Sequence, residues 1–203
     1  GVSQSGTMQT VGVSHYLRML KNAMEELKAG GTGETDIDEN VEILLPVEAL
    51  LPSHYIPDSG EKISVYQKLA GSESEEMLAE FETDLLEEYG DMPRQVKNLF
   101  AVLRLKLVCR RAGVIRVKME EQGKEGKDIV LTLSPRVTAA EIMKLLQENP
   151  QWKISSNTLR IKDADLVRKS EKKDTVAQLT KEIALLQKPK KPAKKAKKEE
   201  DEE

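Results

Sequence analysis

The 203 residues contain a single cysteine, Cys109, so neither a disulfide framework nor a multi-cysteine zinc site can form within the chain. A reducing, cytoplasmic setting fits that scarcity. Histidine is nearly as rare: only His15 and His54 occur, and neither has a second histidine or cysteine at metal-ligand spacing. Both read as ordinary imidazoles, packed or exposed. Aromatics make up only 3% of the chain, too few to spare for the exposed stacking platform that single-stranded nucleic acid requires. No signal peptide opens the chain and no apolar run approaches the length of a membrane span, so no membrane partner is expected. There is no G-x-x-x-x-G-K-[ST] phosphate loop. The nearest match, Gly123 to Lys127, has the wrong spacing, lacks the Ser/Thr, and reads as a hairpin turn. Cys109 lies in a helical stretch whose other residues build core, which raises a thiol's pKa and argues against a nucleophile.

What is present is charge, at 33% of residues, around enough hydrophobic side chains, 38%, for one core. The last sixteen residues, 188–203, hold 7 lysines and 5 acids, leaving 25 basic against 30 acidic residues elsewhere. The body is therefore mildly acidic on average and is not expected to hold phosphate backbones by charge alone. Residues 1–12 read as a loop. Ser14 then caps a helix reaching Ala29, with Tyr16, Leu17, Leu20, Met24 and Leu27 at helical spacing, and Gly30–Gly31 stops it. Alone that helix buries little. It must dock on the following domain, on a body outside this chain, or on a second copy.

The stretch 31–40, glycines and acids, reads as a linker. Pro46, Pro52 and Pro57 then forbid a long helix or a central strand through 41–58. Its start, Val41 to Leu45, suits an edge strand, and the remainder runs extended over the surface, pinned by Leu50, Leu51, Tyr55 and Ile56. Three helices are expected next, over 61–70, from a Ser72-x-x-Glu75 capping box to Gly90, and from Pro93 to Gly113. A period-2 pattern follows, with Ile115, Val117 and Met119 on one strand and Ile129, Leu131 and Leu133 on the next. Thr138-x-x-Glu141 opens another helix. Two short strands, 152–155 and 158–162, precede a last helix over 163–187, and the Lys/Glu tail 188–203 is too polar to fold alone. The fold class is α+β: helices packed on a small, mainly antiparallel sheet, preceded by an extended Pro-rich segment and a separate N-terminal helix.

One stretch departs from ordinary patterning. Between Gly71 and Asp91 there are nine acids and no Lys or Arg. At ~100° per residue, Met77, Leu78, Phe81, Leu85 and Tyr89 share one helix face, while Glu73, Glu76, Glu80, Asp84 and Glu87 line another. Glu76–Glu80 and Glu80–Asp84 are like-charge i,i+4 pairs, each unfavourable by ~0.2–0.5 kcal/mol. Glu87 and Glu88 also sit at the negative end of the helix dipole. The stripe is either a solvated face or a surface that meets a basic patch on another domain. Acid–base catalysis fits poorly, since an exposed face supplies no burial to separate two carboxylate pKa values.

The run LLPVEALLPSHYIPD, the later LLEEYGDMP, and NLF-x-x-LRLK followed by R-x-G-V-I resemble the C-terminal domain of the transcription-repair coupling factor family. The opening QSGTMQTVGVSHYLRMLKNAMEELKAG resembles the end of that family's RecG-type motor lobe. The resemblance implies four parts: the end of the motor lobe (1–30), a linker (31–40), a regulatory domain (41–187) and a tail (188–203). It implies a parent that uses ATP and Mg2+ to translocate on double-stranded DNA, acts on stalled RNA polymerase and recruits UvrA. No cofactor and no catalytic residue fall in this chain, because the ATP-binding motifs lie upstream in the family. The C-terminal domain is expected to lie on the UvrB-like N-terminal module and mask its UvrA-binding surface. Matched position by position, the family's clamp acids are Asp84 and Glu87, with Glu80 one turn earlier on the same stripe. The alternative reading is an accessory nucleic-acid-binding module working through the Lys-rich tail, whose own acids oppose that role.

Overall fold

A computed structural model describes residues 41–186. The expected N-terminal loop and helix, the linker, Gln187 and the tail lie outside the described residues. Within them, six α-helices pack on one five-stranded mixed sheet. Strand β1 (Glu42–Leu44) comes first, then helices α1 (Ser59–Ala70), α2 (Glu75–Tyr89) and α3 (Arg94–Ala112). The hairpin β2 (Val114–Glu121) and β3 (Lys127–Leu133) follows, then α4 (Ala139–Glu148), β4 (Lys153–Ser155), β5 (Thr158–Lys162), α5 (Asp163–Lys169) and α6 (Thr175–Ala184). The strand order is β1-β2-β3-β5-β4. Every neighbouring pair is antiparallel except β1 with β2, which run parallel because three helices intervene between them.

Local chemistry explains most boundaries. The Asp58 side chain accepts from the Glu61 amide and starts α1. The Thr138–Glu141 capping box is present in full at α4. Gly113 ends α3 in the left-handed conformation at φ 82°, where a Cβ would lie 2.6 Å from Val137 Cγ2, so both backbone and space demand glycine. Between β1 and α1 the chain makes only bends and turns. Leu51, Tyr55 and Ile56 are buried there, Leu50 is half-buried, and the Leu51 amide donates to the Tyr66 hydroxyl at 2.8 Å.

Four expectations need correction. The Ser72–Glu75 box does not form. Ser74 caps α2 instead, accepting from the Met77 amide, while Ser72 is buried and its hydroxyl donates to the Lys68 carbonyl behind α1. Glu73 consequently precedes the helix. The last helix is two: Ser170 is extended, Lys173 adopts φ 54°, and Asp174 starts α6 by accepting from the Ala177 amide. A register shift between Val114 and Arg116 makes Val114 fully buried and leaves Ile115 half-buried, so the strict alternation begins only at Arg116. Met77, expected inward, is 37% exposed.

Two apolar clusters result. One covers the sheet with Leu145, Leu166, Leu179 and Ile183 from helices and Trp152 from the loop before β4, and the other joins α1, α2 and the turn segment. Helix α3 serves both: Leu105, Cys109 and Ala112 face the sheet cluster, while Val96, Leu99, Phe100 and Leu103 face the other.

Candidate functional site

Helix α2 carries the acidic stripe, and its placement rests on few apolar contacts. Only Leu78 and Leu85 are buried on it, with Phe81 and Tyr89 half-buried. Hydroxyls hold its C-terminal end. Tyr55 donates to the carbonyls of Leu85 and Gly90 at 3.2 and 3.4 Å, and Tyr89 donates to Glu61 on α1 at 3.1 Å. The two rings stack at 5.6 Å with a 56° tilt. Burial, reinforced by the Glu61 carboxylate, pushes the Tyr89 hydroxyl up to about 12.

Arg104 of α3 fixes the other side. Its Nη1 and Nη2 donate to the two carboxylate oxygens of Glu82 at 2.8 and 2.7 Å, and its Nε donates to Glu75 at 2.6 Å. Glu75 and Glu82 are seven residues apart and so lie on one face of α2. The hydrogen bonds to Glu82 hold the guanidinium's pKa above its ordinary value. This fork is absent from the sequence reading. The signal for it was an Arg set between Leu103 and Leu105 in the middle of α3, away from the arginines near its ends, opposite two acids at i,i+7.

The acids of α2 therefore divide. Glu75 and Glu82 are both paired within the domain with Arg104. Glu80, Asp84 and Glu87 point to solvent, and none has a side-chain hydrogen bond or ion pair among the described residues. Glu76 is exposed but not without a partner, and Glu73, off the helix, contributes only its carbonyl, to Arg111 at 3.4 Å. The three sequence-selected residues thus share one exposed face, and Met77, seven residues before Asp84, joins that face as an apolar neighbour. Such a face has the parts of a docking surface, anionic side chains around one apolar contact.

The remaining candidates are core or surface. Cys109 is fully buried and its thiol is pushed up by burial, while His54 is exposed in a turn. His15 lies outside the described residues. Among the described residues no group of three His, Cys, Asp or Glu could hold a metal ion, and no helix is long and apolar enough to cross a membrane.

Comparison with known proteins gives a consistent result. A family model described as TRCF domain matches residues 45–140. The transcription-repair-coupling factor of Escherichia coli (strain K12) is 29% identical over 186 residues, covering 90% of this chain and 16% of that protein. The protein of the same name from Buchnera aphidicola is 31% identical over 165 residues, covering 80% of this chain and 20% of that one. The chain thus spans a fifth or less of the length of these relatives. The crystal structure of a C-terminal domain of transcription-repair coupling factor aligns with a TM-score of 0.57 at 21% identity, covering 73% of this chain and 94% of that chain, and so shares the fold. With a TRCF domain at its centre and relatives of one name along most of its length, the chain belongs to the transcription-repair-coupling factor family.

Proposed function

We propose that this domain is a regulatory docking module, and that the outer face of α2 closes it onto a basic patch of the UvrB-like N-terminal module of the same protein. In that closed state the module's UvrA-binding surface is masked until the parent, an ATP-dependent DNA translocase, engages stalled RNA polymerase. The observation that carries the reading is the division of acids on one helix. Arg104 uses up Glu75 and Glu82, whereas Glu80, Asp84 and Glu87 stay exposed and repel one another. A partner's cations relieve that repulsion, which no side chain among the described residues does.

The test is Asp84→Lys with Glu87→Lys in the full-length protein. Neither residue touches the apolar clusters, so the fold survives. Losing paired interface charges costs about 2–5 kcal/mol. A shift of ~2.7 kcal/mol alone changes the closed-to-open ratio roughly a hundredfold. UvrA is then expected to bind the double variant more tightly than wild type at one fixed salt concentration, with neither polymerase nor DNA present. Equal affinities, with the variant folded, would mean that the stripe is a solvated face.

A further inference from the structure

The mildly acidic average of the domain conceals a sharp separation of charge. Residues 41–91 carry 2 basic and 13 acidic side chains, whereas residues 92–186 carry 20 basic and 11 acidic. The cationic half contains β2 to β5, and among the described residues no buried helix side chain clusters with one face of that sheet. Its other face is buried under α3, α5 and α6, with Val117, Ile129, Leu131, Leu159 and Ile161 all fully buried. On the first face Val130 belongs to neither apolar cluster, although it is only 5% exposed. The register sets Lys118 and Arg160 on either side of it. Among the described residues no helix supplies a side chain to the ion pairs of this face.

The register makes a cationic row across the strands: Lys153 opposite Arg160, then Val130, then Lys118. Glu120 and Asp128 are occupied by Arg160 at 2.8 and 3.2 Å, and Glu120 also by Lys118 at 2.9 Å. Lys153 and Lys162 are exposed and have no acid against them among the described residues. Thr132, Thr158 and Ser155 form the next row and add hydroxyl donors. At ~4.8 Å per strand, Lys153 and Lys118 stand about 14 Å apart, close to the ~12 Å width of the major groove of duplex DNA. No aromatic residue occurs in these rows, so nothing on them can stack on a base.

We propose that this open sheet face binds the sugar–phosphate backbone of duplex nucleic acid without reading its sequence. Phosphates fit the exposed lysines and hydroxyls, and a flat, twisted sheet without aromatics offers a duplex only backbone contacts. The site is separate from the acidic face of α2, and its binding does not depend on the docking role proposed for that helix. It also differs from binding through the Lys-rich tail, which is linear and carries its own acids.

The experiment is a fluorescence-anisotropy titration of a labelled 20-base-pair duplex with the full 203-residue chain at 25, 50 and 100 mM salt. One variant has the seven lysines of the tail replaced by glutamine. A second adds Lys153→Glu and Lys162→Glu, and a third adds Lys153→Gln and Lys162→Gln, keeping a readout if the charge reversals unfold the sheet. The tail variant is expected to keep binding, with a log–log salt slope of about −3, as ~0.9 per phosphate implies for three contacts. The reversals are expected to weaken it at least tenfold and flatten the slope by about two, and the glutamines to weaken it about threefold. The proposal is overturned if the tail variant loses all binding. It is equally overturned if the face variants bind as well as their parent. Binding of poly-glutamate by the same lysines with no binding of duplex would also refute it, marking the face as a site for an acidic protein.

Discussion

Arg104→Met keeps the aliphatic stem in place and removes the three N–H groups that reach Glu75 and Glu82. It is the most direct test of how α2 is held. The magnitude follows from geometry and exposure. Exposed ion pairs contribute about 0.2–1 kcal/mol, and hydrogen bonds to charged groups up to about 3. The fork to Glu82 is bidentate, but Arg104 and Glu82 are each 27% exposed and Glu75 is 53% exposed, so solvent screens part of the gain. A loss of about 1–2 kcal/mol is expected, which for a domain of roughly 150 residues lowers Tm by about 3–6 °C. Calorimetry at 0.1 M and 1 M salt measures it, and the loss is expected to shrink by half or more at 1 M, where the screening length falls to ~3 Å. Amide exchange should accelerate along α2 and stay unchanged in β2 and β3. A drop below ~1 °C, or one equal at both salts, would mean that the stem and not the fork holds the helix.

Two further perturbations test the scaffold. Gly113→Ala places a methyl 2.6 Å from Val137 Cγ2 and an L side chain at φ 82°, so chemical denaturation should show a loss of about 2–3 kcal/mol, partly recovered when Val137 becomes Ala. Tyr89→Phe addresses alkaline stability. The folded-state pKa of about 12 lies above the unfolded value, so the stabilising contribution is complete below pH ~10 and lost as pH rises from there through 12. Urea melts between pH 9 and 11.5 should therefore fall more steeply for wild type than for Tyr89→Phe, and parallel curves would contradict the assignment.

Much of the scaffold was legible because its signals are local. The Thr138–Glu141 box, the period-2 run through β3, the prolines before α1 and the glycine after α3 each act within a few residues, and each marks its element. What escaped is non-local or symmetric in pattern. Leu166 and Leu179 are thirteen residues apart and lie ~140° apart on a helical wheel, an offset that a stripe counted from Val176 onward does not register. The clue lay in Ser170 and Asp174, both residue types that start helices. Likewise, of two serines two positions apart, only the competing bond from Ser72 to the Lys68 carbonyl decides that Ser74 becomes the cap. The outer acids of α2 were readable from the helical wheel. Their distinction from Glu75 and Glu82 was not, because it depends on which helix lies opposite and which of its four arginines faces α2. Charge segregation was countable from the start, but averaging over the whole body hid it.

Helix α3 has a mechanical consequence. Its 19 residues span about 28 Å and contribute to both apolar clusters, with no glycine or proline between Arg94 and Ala112. The two halves of opposite charge are therefore mounted on one stiff strut with no hinge along it. A pull delivered at the sheet end passes along α3 to the Arg104 fork and the shared cluster, so contacts that the outer face of α2 makes in the proposed docking role would be loaded together. An attachment of that kind lets go abruptly once a threshold force is passed, whereas a flexible arm would peel away contact by contact.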